Sequence, residues 1–464
     1  MSMGTLSGVA KAIDGRLEGA DGTYDSVSTD TRSIGPGQLF FALRGERFDA
    51  SDFVAEAATR GAAGAVVENI APAALSQIEV ADSRLALGAL ARNWRQNFSI
   101  PIIGITGSNG KTTVKEMTAA ILRAALVDHG DAVLATSGNL NNDIGMPLTL
   151  LSLRDQHQAA VIEMGANHPG EIAVLADIAA ANIAVITNAA RAHLEGFGSI
   201  EDVARTKGEL LDALTADGFA VLNRDDAFFA DWAARNASAQ LKSFGLSAAA
   251  DYRAENINQV IREGQPVFEF DLLTPDGRIA VLLPLVGQHN VLNALASAAA
   301  AMAAGATLEH VREGLATSRN VAGRLRAFRS TTGAVIYDDT YNANPDSVAA
   351  AIAFLGELAG EPWLVLGDMG ELGPDAAALH YGVGKLARDA GIRRLFCVGE
   401  LSRRTAEGYG KGASWCASLE DLEEALLAEL AAGRNVLIKG SRFMRLDRLV
   451  RQIEALEAAN GVGV

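Results

Sequence analysis

The run IIGITGSNGKTT at 102–113 decides how this chain folds. Its first five residues are mostly β-branched, the composition of a buried strand. Gly107 and Gly110 then let the backbone fold tightly, and Lys111-Thr112 opens a stretch where Val114, Met117, Ile121 and Leu122 recur at helical spacing. A strand that enters a glycine-containing loop and leaves as a helix binds anions, because loop N–H groups and the helix N-terminus converge on one point. Gly107, Ser108, Asn109, Gly110, Lys111, Thr112 and Thr113 are therefore the expected binding residues for a nucleotide triphosphate. Lys111 would reach the β/γ-phosphates and the Thr112 hydroxyl would meet Mg²⁺. The run departs from G-x-x-x-x-G-K-[ST] at one place, where Ile105 stands in for the first glycine.

Outward from this loop the strand–helix alternation continues. AAVIE at 159–163, IAVIT at 183–187 and FAVL at 219–222 read as strands with helical segments between them. Such alternation implies a mostly parallel sheet covered on both faces. The block begins at Ser99-Ile100-Pro101, where proline resists helix and sheet interiors, and spans 98–320. Before it, residues 1–97 alternate short apolar runs (Gln38 to Leu43, Ala63 to Val67) with the helical stretch Phe53 to Arg60. After it, residues 321–464 show VIYDD, a helix from Pro345, WLVLGD, a helix from His380, LFCVG, a helix from Leu419 and VLIKG, a second doubly wound pattern. The expectation is α/β in three domains: a mixed N-terminal domain, a central parallel-sheet domain that carries the phosphate loop, and a C-terminal doubly wound, Rossmann-like domain. A length of 464 residues agrees with that number of cores.

Composition excludes several classes. With 49% hydrophobic and 21% charged residues the chain is globular rather than disordered. A net charge of −16 argues against nucleic acid as a partner, while leaving anionic small substrates open to a local cluster of cations. Two cysteines, Cys397 and Cys416, make no disulfide framework and read as apolar packing. The N-terminus lacks a signal-peptide pattern, and VLNALASAAAAMAAGA at 291–306 is too short and too rich in alanine to span a bilayer. A cytoplasmic protein without membrane insertion is expected.

The shorter form TGSNGKTT resembles the ATP loop of the Mur ligases and their relatives, the folylpolyglutamate synthetases. The resemblance covers nearly the whole chain. SGNLNNDIGMPLTLL (137–151), IEMGANHPGEI (162–172), TNAARAHLEGFGS (187–199), GQHNVLNALA (287–296), DDTYNANPDS (338–347), LGDMGEL (366–372) and IKGSR (438–442) follow in the family's order. NLNN, EMGAN, AHLEGFGS and YNANP resemble the branch that joins D-alanyl-D-alanine to UDP-N-acetylmuramoyl-tripeptide, a step of peptidoglycan synthesis. The resemblance implies an ADP-forming ligase that activates a carboxylate as an acyl phosphate; a monomer is expected. A carboxylate is a poor electrophile, so phosphorylation must come first, and charge neutralisation around the γ-phosphate carries that step.

Glu163 ends the AAVIE strand, where the carboxyl ends of parallel strands face a ligand crevice. By similarity it is a Mg²⁺ ligand together with Thr112. His193 is implied as a ligand of a second Mg²⁺. Lys207, in ARTKGEL, is implied to be carbamylated by CO₂, which would turn a cation into an anionic metal ligand; read alone, it is a surface lysine near Glu209. Asn290 lies one helical turn before Asn293 and by similarity contacts the nucleotide. Arg324 resembles the family's arginine for the γ-phosphate, and Asp339 the carboxylate that holds the ribose. Asn139, Asn141 and Asn142 offer uncharged donors and acceptors for the sugar-diphosphate or peptide, although asparagine-rich loops are commonly turns. Ser28 and Arg32 in STDTR, with LFFALRGERFD at 39–49, resemble the uridine-diphosphate grip, Arg32 facing pyrophosphate. Ala50 and Ser51 depart from the D-G-H the family often carries there. Lys439 and Arg442 are candidates to steer the dipeptide's carboxylate, and His380, Trp363 and Trp415 read as packing residues.

Three rivals remain. The ligase that adds the third amino acid is disfavoured by EMGAN and YNANP. Folate polyglutamylation is disfavoured by the UDP-like N-terminal segment. A nucleotide-switch protein would turn over or hold nucleotide without an acceptor, whereas a ligase needs both co-substrates.

Overall fold

The computed structural model describes residues 2–45, 49–262 and 265–459; Glu46, Arg47 and Phe48 of the expected uridine-diphosphate segment lie outside them. Three large sheets, beside a two-stranded one of Gly4–Thr5 and Thr23–Tyr24, organise the described residues. The central one has nine strands. Ile102–Thr106 lies between Ala159–Glu163 and Ile183–Ile186, and Val133–Ala135, Phe219–Asn223 and Gln240–Gly245 extend it, all in parallel. Alternate residues of these strands feed opposite faces, as the period of two requires. Ile102, Ala160, Ile162 and Ala184 enter one core; Ile103, Ile105, Val161 and Val185 enter the other. Burial on both faces is why these strands are continuous apolar runs.

The helix Lys111–Ala125 covers one face with His289–Ala303, whose alanines permit close approach. Its Asn290 and Asn293 are buried on the side facing the phosphate loop. Beyond Gln240–Gly245 the sheet continues through Tyr252–Arg262, which pairs parallel to it, into Gln265–Thr274 and Gly277–Leu283, which run antiparallel.

The first sheet has five strands, parallel except for the edge strand Arg16–Glu18. The third has six, in the order Arg326–Arg329, Val335–Asp339, Arg434–Lys439, Glu361–Gly367, Arg394–Val398, Ala413–Cys416, with only the first antiparallel. Its two faces carry separate cores. The helix expected from His380 begins earlier, at Ala376, because Gly373 and Pro374 make a short 3-10 turn leading into it. His380 is a fully buried member of that helix, accepting the Met369 N–H at Nε2. Trp363 is buried as expected, but Trp415 is 39% exposed on the edge strand, its indole N–H donating to the Gly399 carbonyl. Among the described residues no helix is long and apolar enough to cross a membrane.

Candidate active site

One cleft of about 650 Å³ opens where the carboxyl ends of the central strands face the third sheet. The phosphate loop forms its floor. Gly107 has φ +143°, and a Cβ there would fall 1.9 Å from the Thr187 Oγ1; Gly110 has φ +84°, and a Cβ would fall 2.5 Å from the Asn293 Oδ1. Both positions therefore demand glycine. The loop is framed from the adjacent strand end. Ser108 N–H donates to the Asn188 carbonyl (3.0 Å), Asn109 N–H to the Asn188 Oδ1 (3.0 Å), and the Thr187 hydroxyl to the Asn109 carbonyl (2.6 Å).

Lys111 donates to the carbonyls of Gly107 (2.6 Å) and Ser108 (3.2 Å). Burial lowers its pKa to about 8, opposed by Glu163 and assisted by Arg324. Thr112 sits at the centre of the arrangement. Its hydroxyl donates to the Glu163 carboxylate at 2.9 Å and accepts from the Arg324 guanidinium at 2.9 Å. Glu163 is 3% exposed, accepts from the Asn141 amide at its other oxygen (2.8 Å), and its own N–H donates to the Thr136 hydroxyl (2.9 Å). Arg324 comes from the third unit and stacks over the Tyr341 ring, 4.2 Å from its centroid. Asn293 donates to the Asn290 Oδ1, and Asn290 to the Val286 carbonyl.

Asp339 also reaches the cleft, paired with Lys439 at 2.6 Å. That pairing occupies Lys439, the residue considered for the dipeptide. Arg442 lies over the Tyr341 ring. His193 lines the cleft in a left-handed conformation, φ +56°, with its Nδ1 against the Glu371 carboxylate. Lys207 is 2% exposed and stands behind the cleft wall, its ammonium 5.3 Å from the centroid of the Phe197 ring. Burial, reinforced by the charge of Lys111, lowers its pKa to about 7. The surface-lysine reading of Lys207 is thus excluded.

The structure gathers Ser108 to Lys111, Thr113, Glu163, Asn141, Asn142, His193, Asn290, Arg324 and Asp339 around the cleft. It leaves three expected substrate residues elsewhere. Asn139 is exposed and its carbonyl accepts the Asn141 N–H. Ser28 makes a turn with Asp30, and Arg32 is an exposed partner of the same Asp30. Asn142, although on the wall, also receives the Gly145 N–H and so shapes the start of the helix Gly145–Leu150. Residues unseen in the sequence include Thr136, Asn188, Asn344 and Glu371.

Among the described residues no group of three or more His, Cys, Asp or Glu side chains is arranged to hold a metal. One carboxylate and one hydroxyl at 2.9 Å nevertheless fit Mg²⁺, which takes one or two protein oxygens and completes its shell with phosphate and water. Around His193 and Lys207 the neutral or cationic nitrogens do not by themselves make such a site.

Comparison with known proteins gives a consistent result. The Mur ligase middle domain model matches residues 105–301, the glutamate ligase domain model of Mur ligases matches 323–442, and the catalytic domain model of the Mur ligase family matches 23–95. The chain is 44% identical to the UDP-N-acetylmuramoyl-tripeptide–D-alanyl-D-alanine ligase of Escherichia coli, over 97% of this chain and 98% of that one. In structure it is similar to MurF from Acinetobacter baumannii, with TM-score 0.90, 34% identity, and 98% and 99% of the two chains covered. It is also similar to MurF ligase from Thermotoga maritima in complex with ADP, with TM-score 0.81, 28% identity, and 94% and 98% covered.

Proposed function

The chain belongs to the Mur ligase family and is an ATP-dependent ligase, and from that premise we propose that it joins D-alanyl-D-alanine to UDP-N-acetylmuramoyl-tripeptide through an acyl phosphate. The observation that carries this reading is the Thr112 hydroxyl. There a triphosphate loop, a buried carboxylate and a cation from another domain meet at one oxygen. A carboxylate oxygen of the tripeptide attacks the γ-phosphorus, the bond to ADP breaks, and an acyl phosphate forms. The dipeptide amine then attacks the acyl carbon, phosphate leaves, and the amine gives up a proton. Lys111 and Arg324 hold the phosphoryl oxygens, and domain closure keeps water from the acyl phosphate.

Thr112 and Glu163 are the groups for one Mg²⁺, oriented by Asn141 and Thr136. Mg²⁺ bound there would neutralise phosphate charge. Lys207, once carbamylated, would supply the anionic oxygens that its amine lacks and with His193 would hold a second Mg²⁺. The low pKa of Lys207 supports this, because only a neutral amine adds CO₂ and burial keeps much of this one neutral near pH 7. Asn290 and Asp339 orient the nucleotide, Asp339 by exchanging Lys439 for ribose hydroxyls. Asn141 and Asn142 meet the UDP-linked substrate at the cleft wall, and Asn139, Ser28 and Arg32 meet the part of it that lies outside the cleft. Residues 1–97 grip that substrate, 98–320 bind ATP, and 321–464 close over both. The chain acts as a monomer in the cytoplasm, where its nucleotide and UDP-linked substrates are found.

The test is phosphate release with UDP-muramyl tripeptide, comparing D-alanyl-D-alanine with single amino acids and glutamate. Release should require the dipeptide, and ¹⁸O from the tripeptide carboxylate should appear in the phosphate. Release that ignores the acceptor, or phosphate without label, overturns the reading.

A further inference from the structure

Arg191 gives one carboxylate both its backbone N–H and its guanidinium. The N–H donates to the Asp346 Oδ2 at 2.7 Å, and the Nη2 donates to the Oδ1 at 2.6 Å. The two residues lie in different units and are 155 positions apart. We propose that this pair is a latch that seats the third unit on the phosphate loop, making Arg191 and Asp346 positioning residues for nucleotide use. The proposal deepens the ligase reading above and rests on it.

Each side of the pair is rigidly tied to the same loop. Arg191 follows Asn188 and Ala190, which bond directly to Ser108 and Asn109; the Ala190 N–H donates to the Ser108 Oγ at 2.9 Å. Asp346 stands in the first turn of the helix Pro345–Glu357. That turn is fixed by proline and by a reciprocal cap, in which the Asn344 side chain accepts from the Ser347 N–H at 2.8 Å. The Asn344 amide nitrogen is thereby free to point outward, and it donates to the Asn109 Oδ1 at 2.9 Å. Asn344 therefore meets the phosphate loop only when the helix start is held in register with the strand end that frames the loop. The Arg191–Asp346 contact sets that register at two points of one carboxylate, which a single-point ion pair would not do. Arg324 and Tyr341, which enter the cleft from the same unit, are carried with it.

The pair is half exposed on the arginine side, and a passive surface bridge would contribute almost nothing. The distinguishing quantity is coupling to nucleotide. The experiment uses the full chain and a non-hydrolysable ATP analogue with magnesium, with Kd read by calorimetry for Arg191→Ala, Asp346→Asn and the double variant. Each single change should weaken binding about fivefold, the double change by about the same factor rather than their product, and Arg191→Lys should recover part of the loss. The KM for ATP should rise in parallel, with kcat at saturation within about twofold and the melting temperature unchanged. Single variants that bind within about twofold of the unaltered protein, or losses that multiply in the double variant, overturn the latch. Turnover of the unaltered protein without need of an acceptor would instead sink the ligase reading, and the Kd comparison would still judge the latch.

Discussion

The middle unit meets its two neighbours in opposite ways. Toward the first unit the boundary is apolar. Leu87, Leu90 and Ala91 of the helix Ser83–Arg95 share one continuous core with Leu150, Leu153 and Ile178. Arg95 completes it by donating to the carbonyls of Phe98, Ala179 and Ala180. Toward the third unit the contacts are polar: Arg324 on Thr112, Asn344 on Asn109, Arg191 on Asp346 and the Glu195 N–H on the Glu371 carbonyl. The third unit keeps its own cores, which Val286 alone joins from the middle unit among their fully buried members. Apolar burial is expensive to expose, while hydrogen bonds exchange readily with water. The first boundary is therefore suited to hold and the second to exchange its contacts, and the cleft lies at the second.

The largest effect should come from the second boundary's floor. Lys111→Ala should lower turnover by about 10²–10³-fold or more while the melting temperature stays close to that of the parent, measured by phosphate release and calorimetry. Substantial residual ligation would break the assignment of chemistry to this cleft. The converse change lies at the first boundary. Leu90 is 3% exposed, and Leu90→Ala should cost about 2–5 kcal/mol in denaturant unfolding while leaving the KM for ATP unchanged. An altered KM with intact stability would mean that the first unit also moves during turnover.

This division was only half legible in the sequence. IIGIT, AAVIE and IAVI announced themselves because burial on both faces confines polar residues to the strand ends, Thr106 and Glu163. The extension through YRAENINQVIR was not read as strand, since it mixes polar and apolar residues, and Asn256 breaks the register with φ +53°. At the site, the phosphate loop was readable because its groups are consecutive. Asn109 with Asn344, 235 residues apart, and Asp339 with Lys439, 100 apart, are pairings that only the fold creates. Ser28 and Arg32 were named from the family resemblance, and the cleft wall does not include them.

An intermediate effect belongs to Lys207. Its pKa is lowered to about 7, so the neutral, nucleophilic amine predominates above that pH and the ammonium below it. Occupancy by CO₂ should therefore rise as pH passes upward through about 7, and intact-protein mass under CO₂ should show one adduct. Removing bicarbonate should slow turnover several-fold, and Lys207→Arg should abolish the bicarbonate dependence. Equal rates with and without bicarbonate, and a bare amine at pH 8, would rule the adduct out. The same depressed pKa makes stability rise with pH between about 7 and the unfolded lysine value near 10.4, because the unfolded chain binds the extra proton across that window.

The smallest effect tests whether the first boundary is truly held by its apolar core. Arg84 crosses that boundary to Asp143, donating at 2.6 Å, and both line the cleft. Their side chains are 52% and 37% exposed, so solvent screens the pair heavily. Arg84→Ala should change unfolding free energy by about 1 kcal/mol or less, with little dependence on salt. A loss approaching that of Leu90→Ala would show that charge, rather than buried apolar surface, joins the first two units, and the contrast between the two boundaries would fail. A small stability change with a raised KM for the UDP-linked substrate would sharpen the contrast instead, since Arg84 is the one residue of the first unit on the cleft wall among those described.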